Sequence, residues 1–91
     1  MFISVIHRVS DPDAFEAAVA SATPKLPTDL KVHLTATADD RSTVICLWEA
    51  SSVDKVRDVV ETHLGHASKN EYIPIDPAKS MGLPTTAAAR A

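Results

Sequence analysis

The chain has 91 residues, of which 45% are hydrophobic and 23% charged, and its formal net charge is −3. This composition predicts one globular domain with a thin core. No stretch is rich in lysine or arginine, which argues against nucleic-acid binding, and no apolar run is long enough to span a membrane. The first residues lack a signal-peptide pattern, and the single cysteine has no intramolecular partner. We therefore expect a cytoplasmic protein.

The N-terminal third predicts a strand, a helix and a proline-rich connection. The strand covers Phe2–Val9, which is rich in β-branched residues on both faces and is therefore expected at the centre of a sheet. Residues 10–13 (Ser-Asp-Pro-Asp) carry the capping and first-turn residues of a helix that runs to about Ala22. Two prolines in residues 23–29 end this helix.

Residues 30–50 predict a β-hairpin around the polar turn Ala38-Asp39-Asp40-Arg41. Symmetric pairing about this turn places His33 opposite Cys46 and Lys31 opposite Trp48. Because successive side chains point to opposite faces, two rows follow. One row contains Val32, Leu34, Thr43, Ile45 and Leu47, and the other contains Lys31, His33, Thr35, Val44, Cys46 and Trp48. We expect the helices to cover the first row.

The C-terminal part predicts a second helix and a last strand. Ser51 is the expected helix cap, Gly65 the expected stop, and the buried stripe consists of Val53, Val56, Val60 and Leu64. Residues 71–75 predict a strand that Pro74 restricts to a sheet edge. Residues 85–91 are small and weakly patterned, so we expect a domain over residues 1–84 and a disordered C-terminal tail.

The predicted order β-α-β-β-α-β is that of a ferredoxin-like α+β sandwich with an antiparallel sheet in the order 4-1-3-2. Two helices can cover only one sheet face. The row with Val44, Cys46 and Trp48 would then remain in water, at a cost of about 25 cal/mol per Å² of apolar surface. We therefore expect a homodimer in which two sheets face each other.

Several short stretches carry a resemblance to a known family. They are Val32-His33, Asp39-Asp40, Cys46, Glu49-Ala50-Ser51-Ser52 and Ile75-Asp76-Pro77. With this layout, the chain resembles the dimeric α+β barrel superfamily and, within it, a small nickel-binding family of domain-of-unknown-function proteins. The resemblance implies a ferredoxin-like fold, a barrel-forming dimer and binding of nickel or another divalent transition metal.

His33 and Cys46 are the first candidate metal ligands. Directly opposed residues have Cβ atoms about 4.5–5.5 Å apart, which suits a shared soft or borderline metal. His63 and His66 have helix-compatible spacing and could complete the site. The alternatives are a Cys46 that packs as a small hydrophobe, a His33 that is a satisfied polar residue, and two histidines that interact with a helix end or with water.

His7, Val44 and Trp48 are candidate residues of an apolar pocket inside the barrel. Trp48 with His63 also resembles haem-degrading members of the superfamily, but the spacing is long and the expected first-strand asparagine is missing, which argues against haem. Only two glycines are present, which excludes a glycine-rich nucleotide-binding loop. His7 and Trp48 could equally be core or interface residues.

Three functional hypotheses follow from these residues. The leading one is a small, non-catalytic dimeric ligand-binding protein that binds a divalent metal. The second is a cofactor-independent monooxygenase or isomerase that acts on a small aromatic molecule, with His7 and His33 providing acid–base chemistry. The third is a structural or regulatory dimer without a small ligand.

Overall fold

A four-stranded antiparallel sheet with two helices forms the protein. The computed structural model describes residues 1–84, so the predicted tail lies outside the described residues. The elements are β1 (Phe2–Val9), α1 (Pro12–Ala22), β2 (Lys31–Thr37), β3 (Thr43–Glu49), α2 (Val53–Leu64) and β4 (Ser68–Ile75). The sheet order is β2-β3-β1-β4, which confirms the predicted α+β ferredoxin-like arrangement with β1 inside and β4 at an edge. Among the described residues, no helix has the length and apolar character needed to cross a membrane.

Both helices begin at a side-chain cap. Asp11 accepts a hydrogen bond from the Ala14 N–H, and Pro12 occupies the first turn of α1. In α2 the cap is Ser52, whose hydroxyl accepts from the Lys55 N–H at 3.3 Å. The prediction of Ser51 as the cap is therefore wrong by one residue. Ser52 holds the extended backbone that directly precedes the first helical residue, as an N-cap does.

The hairpin pairs in a different register from the predicted one. The Arg41 N–H donates to the Ala38 carbonyl, and Arg41 itself has a φ of 64°, so a left-handed residue follows the turn and lengthens the loop. Thr35 therefore faces Cys46, and Lys31 faces Glu49. Between these pairs β2 contains a bulge at His33, since Val32 faces Trp48 while Leu34 faces Leu47. The predicted His33–Cys46 pair does not form.

The helices also cover the opposite sheet face from the one predicted. The helices cover the face that carries the buried side chains of β1 and β3. These side chains are Ile3, Val5 and His7 on β1 and Val44, Cys46 and Trp48 on β3. These side chains pack with Phe15 of α1 and with Val56 and Val60 of α2. On the outer face, Leu34 is 52% and Ile45 is 45% exposed, and no described element covers them. One apolar sheet face is thus left uncovered, as expected. It is the face with Leu34 and Ile45, whereas the sequence predicted the face with Val44, Cys46 and Trp48.

Candidate functional site

A cleft of about 350 Å³ lies between the covered sheet face and the helices. Its volume falls in the range of small-molecule sites, which is roughly 300–1,000 Å³. Its lining is mainly apolar and includes Phe15, Val19, Leu26, Val44, Val59 and Leu64. The polar or titratable side chains on it include His7, Cys46, Trp48 and His63. The sheet, α1, α2 and the connection after α1 all contribute, so the cleft depends on the whole fold.

Trp48 is a buried cleft residue with an unused hydrogen-bond donor. Its side chain packs in the core and is only 5% exposed. The indole Nε1–H has no hydrogen-bond partner among the described residues. A buried donor without a partner costs about 1–3 kcal/mol.

His7 is a buried imidazole that also lines the cleft. Its Nδ1 lies 2.6 Å from Oδ1 of Asn70, and its ring centroid lies 5.2 Å from that of Phe15. Burial lowers the pKa of His7 below its ordinary value, although the Asn70 hydrogen bond and the charge of Glu61 oppose this in part. His7 is therefore neutral near pH 7.

Asn70 links His7 to α2. Its Nδ2 donates to Oε2 of Glu61 at 2.9 Å, and the Ser68 hydroxyl donates to its Oδ1 at 2.8 Å. The Tyr72 hydroxyl donates to the same Glu61 oxygen. The hydrogen bonds from Tyr72 and then Asn70 lower the pKa of Glu61, which keeps this carboxylate ionised at neutral pH.

Sequence reasoning missed this network because it began the last strand at residue 71. The strand starts at Ser68, and the residues Ser68, Asn70 and Tyr72 alternate along it. This polar alternation was the available signal. The partner Glu61 lies outside the predicted buried stripe of α2, and its contacts with β4 depend on how the helix packs.

Cys46 is a protonated thiol in the core. Its Sγ lies 3.7 Å from the Thr35 hydroxyl. Burial raises the pKa of the Cys46 thiol, and the Thr35 hydrogen bond opposes this only partly. A thiol of this kind is a poor nucleophile and a poor metal ligand at neutral pH, because both roles need the thiolate.

The four predicted metal ligands are not brought together. His33 Nε2 lies 2.7 Å from Oε1 of Glu49, and its ring lies near Phe2, which shares the outer row with Glu49. His63 lines the cleft, whereas His66 is exposed beyond the end of α2. Within residues 1–84 no group of three or more His, Cys, Asp or Glu residues is placed to hold a metal ion. The shifted hairpin register and the bulge in β2 separate His33 from Cys46.

The three predicted pocket residues lie on one cleft. His7, Val44 and Trp48 all line it, and His63 lies there as well. The position differs from the expected one, because the cleft lies on the helix side of the sheet and not between two sheets. These residues lie on the helix side because His7 on β1 pairs with Val44 on β3, and paired residues point to the same sheet face.

Comparison with solved structures supports the fold class. The chain is similar to the crystal structure of SCO4226 from Streptomyces coelicolor A3(2), with a TM-score of 0.52 and 19% sequence identity. The alignment covers 84% of this chain and 99% of that one. No family model and no curated protein matches the chain. At this identity the similarity shows a small α+β fold of the ferredoxin-like kind, and it carries no function.

Proposed function

We propose that the protein binds a small, largely apolar molecule of aromatic size in the cleft between the sheet and the helices. The observation that carries this proposal is a cleft of about 350 Å³ with a mainly apolar lining, in which the buried side chains of His7 and Trp48 take part. The apolar lining would contribute roughly 25 cal/mol per Å² of ligand surface buried. The cleft suits a hydrocarbon framework, since most of its lining is aliphatic or aromatic.

An acid–base enzyme that acts on the same molecule is the second candidate. The observation in its favour is His7, a buried, neutral imidazole that lies on the cleft and is hydrogen-bonded from behind by Asn70. A base of this kind could take a proton from an aromatic hydroxyl, as a cofactor-independent monooxygenase or isomerase requires. A His7→Gln variant that binds the molecule but does not convert it would support this candidate.

A divalent metal is the less well supported ligand. The resemblance named nickel, but its expected ligands His33 and Cys46 have different partners, Glu49 and Thr35. Cys46 is moreover protonated at neutral pH, because burial raises its pKa. The residues present do not fit such a metal, and the proposed ligand is therefore organic.

We also propose that the protein is a homodimer through its outer sheet face. Leu34 and Ile45 are about half exposed there, and Leu47 lies beside them. A second copy packed face to face would remove this apolar surface from water.

The ligand proposal can be tested with the only tryptophan as a reporter. We expect titration with 2-naphthol to shift the Trp48 indole N–H resonance and to change its fluorescence. Filling the cleft with Val59→Phe should weaken this binding about tenfold, which is about 1.4 kcal/mol. The control is Val53→Phe, on the same helix but not among the lining residues.

Two results would contradict the proposal. One is an indole resonance that no small aromatic molecule moves at millimolar concentration. The other is equal weakening by Val59→Phe and Val53→Phe, which would place the binding site elsewhere. Circular dichroism of both variants would check that they fold like the wild-type chain.

A further inference from the structure

From the hydrogen bonds around His7, we infer that Asn70 and Glu61 hold this histidine as its Nδ1–H tautomer. The cleft would then select an aromatic molecule with a hydroxyl group that donates to Nε2 of His7. This inference rests on the proposed function, because it names the chemical class of ligand for the same cleft.

The orientation of the Asn70 amide follows from its partners. The Glu61 carboxylate can only accept, so the Asn70 group that lies 2.9 Å from it is the NH₂. The amide oxygen therefore points the other way, where it accepts from the Ser68 hydroxyl. The same oxygen lies 2.6 Å from His7 Nδ1. Since an amide oxygen cannot donate, Nδ1 carries the proton.

The other ring nitrogen of His7 is then an acceptor. A neutral imidazole has one donor and one acceptor nitrogen. The bond to Asn70 is the one side-chain hydrogen bond that His7 makes within residues 1–84, and it uses Nδ1. Nε2 thus keeps a lone pair, and because His7 lines the cleft, a ligand hydroxyl can donate to it.

The tautomer can be tested by long-range ¹H–¹⁵N correlation of the imidazole rings at neutral pH. In the wild-type protein we expect a protonated Nδ1 and an unprotonated Nε2 for His7. Asn70→Ala should lose this preference, because no side chain then accepts from Nδ1–H. Glu71→Gln, outside the network on the same strand, serves as the control. A wild-type His7 protonated at Nε2 would overturn the inference.

The ligand class can be tested with two related naphthalenes, followed through the Trp48 indole resonance. They are 2-naphthol, which has a hydroxyl group, and 2-acetylnaphthalene, which has a carbonyl group only. We expect 2-naphthol to bind at least about tenfold more tightly than 2-acetylnaphthalene. In Asn70→Ala this advantage should disappear.

The outcomes separate this inference from the function on which it rests. If both naphthalenes bind equally well, the inferred ligand class is wrong and the proposed binding function stands. If neither of them binds, the proposed function fails and the ligand class fails with it. The imidazole spectra report on the tautomer in either case.

Discussion

At the residue scale, His7 couples proton binding to folding. Its pKa in the folded protein is lowered from 6.5, mainly by burial, so the unfolded chain takes up a proton at a higher pH than the folded one. The contribution of His7 to stability is therefore complete above about pH 6.5 and is lost as the pH falls through the folded pKa. We expect the free energy of unfolding to decrease between pH 7 and pH 5.

Urea unfolding at a series of pH values would measure this dependence. His7→Gln should show a shallower decrease than the wild-type protein, because glutamine takes up no proton. His66→Gln is the matched control, since His66 is exposed, and its profile should run parallel to that of the wild type. If the free energy of unfolding fell equally steeply with pH in His7→Gln and in the wild type, His7 would not be the source of the pH dependence.

Arg41 shows a second effect at the residue scale, in which backbone geometry is at odds with residue type. It is the one non-glycine residue with positive φ among the described residues, and its guanidinium contacts Asp13 and Glu16 of α1. Arg41→Gly and Arg41→Ala both lose these contacts. We expect the glycine variant to be more stable by about 1 kcal/mol, because the left-handed region penalises a Cβ.

Thermal or urea unfolding of the two variants would give this difference directly. The same pair of substitutions at Asp39, where φ is not positive, is the control. There alanine should be at least as stable as glycine, because glycine leaves the unfolded chain more freedom. If the glycine variant were more stable than the alanine variant at both positions, the left-handed backbone at Arg41 would not be the cause.

At the element scale, the position of the α2 cap makes a sharp prediction. The Ser52 hydroxyl accepts from the Lys55 N–H, whereas Ser51 is exposed and makes no cap contact. Ser52→Ala should therefore lower the free energy of unfolding by about 1 kcal/mol, and Ser51→Ala should change it by less than about 0.5 kcal/mol. A larger loss for Ser51→Ala in chemical unfolding would move the cap back to the position favoured by the sequence.

Elements were easier to predict than their registers. The order of the strands followed from local signals, such as the apolar first strand and the restriction that Pro74 imposes. The hairpin register did not, because a left-handed Arg41 and a bulge at His33 each change the pairing without a glycine to mark them. Both faces of the hairpin are apolar, so hydrophobic pattern alone could not choose the inner one.

Only part of the candidate site could be predicted from the sequence. Val44 and Trp48 share a row by alternation along β3, whereas the sheet face of His7 could not be predicted, because it depends on how β1 pairs with β3. Asn70 and Glu61 could not be added, since their contact joins β4 to α2 and depends on the packing of the helix. The proximity of His33 and Cys46 could not be predicted correctly, because it depended on the register of the hairpin.

At the scale of the whole molecule, the outer sheet face predicts self-association. Leu34 and Ile45 are exposed on adjacent strands, with Leu47 opposite Leu34. We expect the wild-type protein to be a dimer by sedimentation equilibrium and Ile45→Lys to be a monomer, because an unpaired lysine would be buried in the interface. Met81→Lys, at a position 98% exposed, should leave the dimer intact. A wild-type chain that is monomeric at millimolar concentration would refute the dimer.

The bulge at His33 has a consequence for how the length of this chain can vary. A single added residue in β1 or β3 would exchange every side chain beyond it between the cleft and the outer face. In β2 such a residue is already present, and Val32 and Thr35 on either side of it still face Trp48 and Cys46. Because β2 is an edge strand, the extra backbone can bend outward without disturbing a second neighbour. Insertions and deletions in related chains should therefore concentrate in β2 and in the loops, while β1 and β3 keep a constant number of residues.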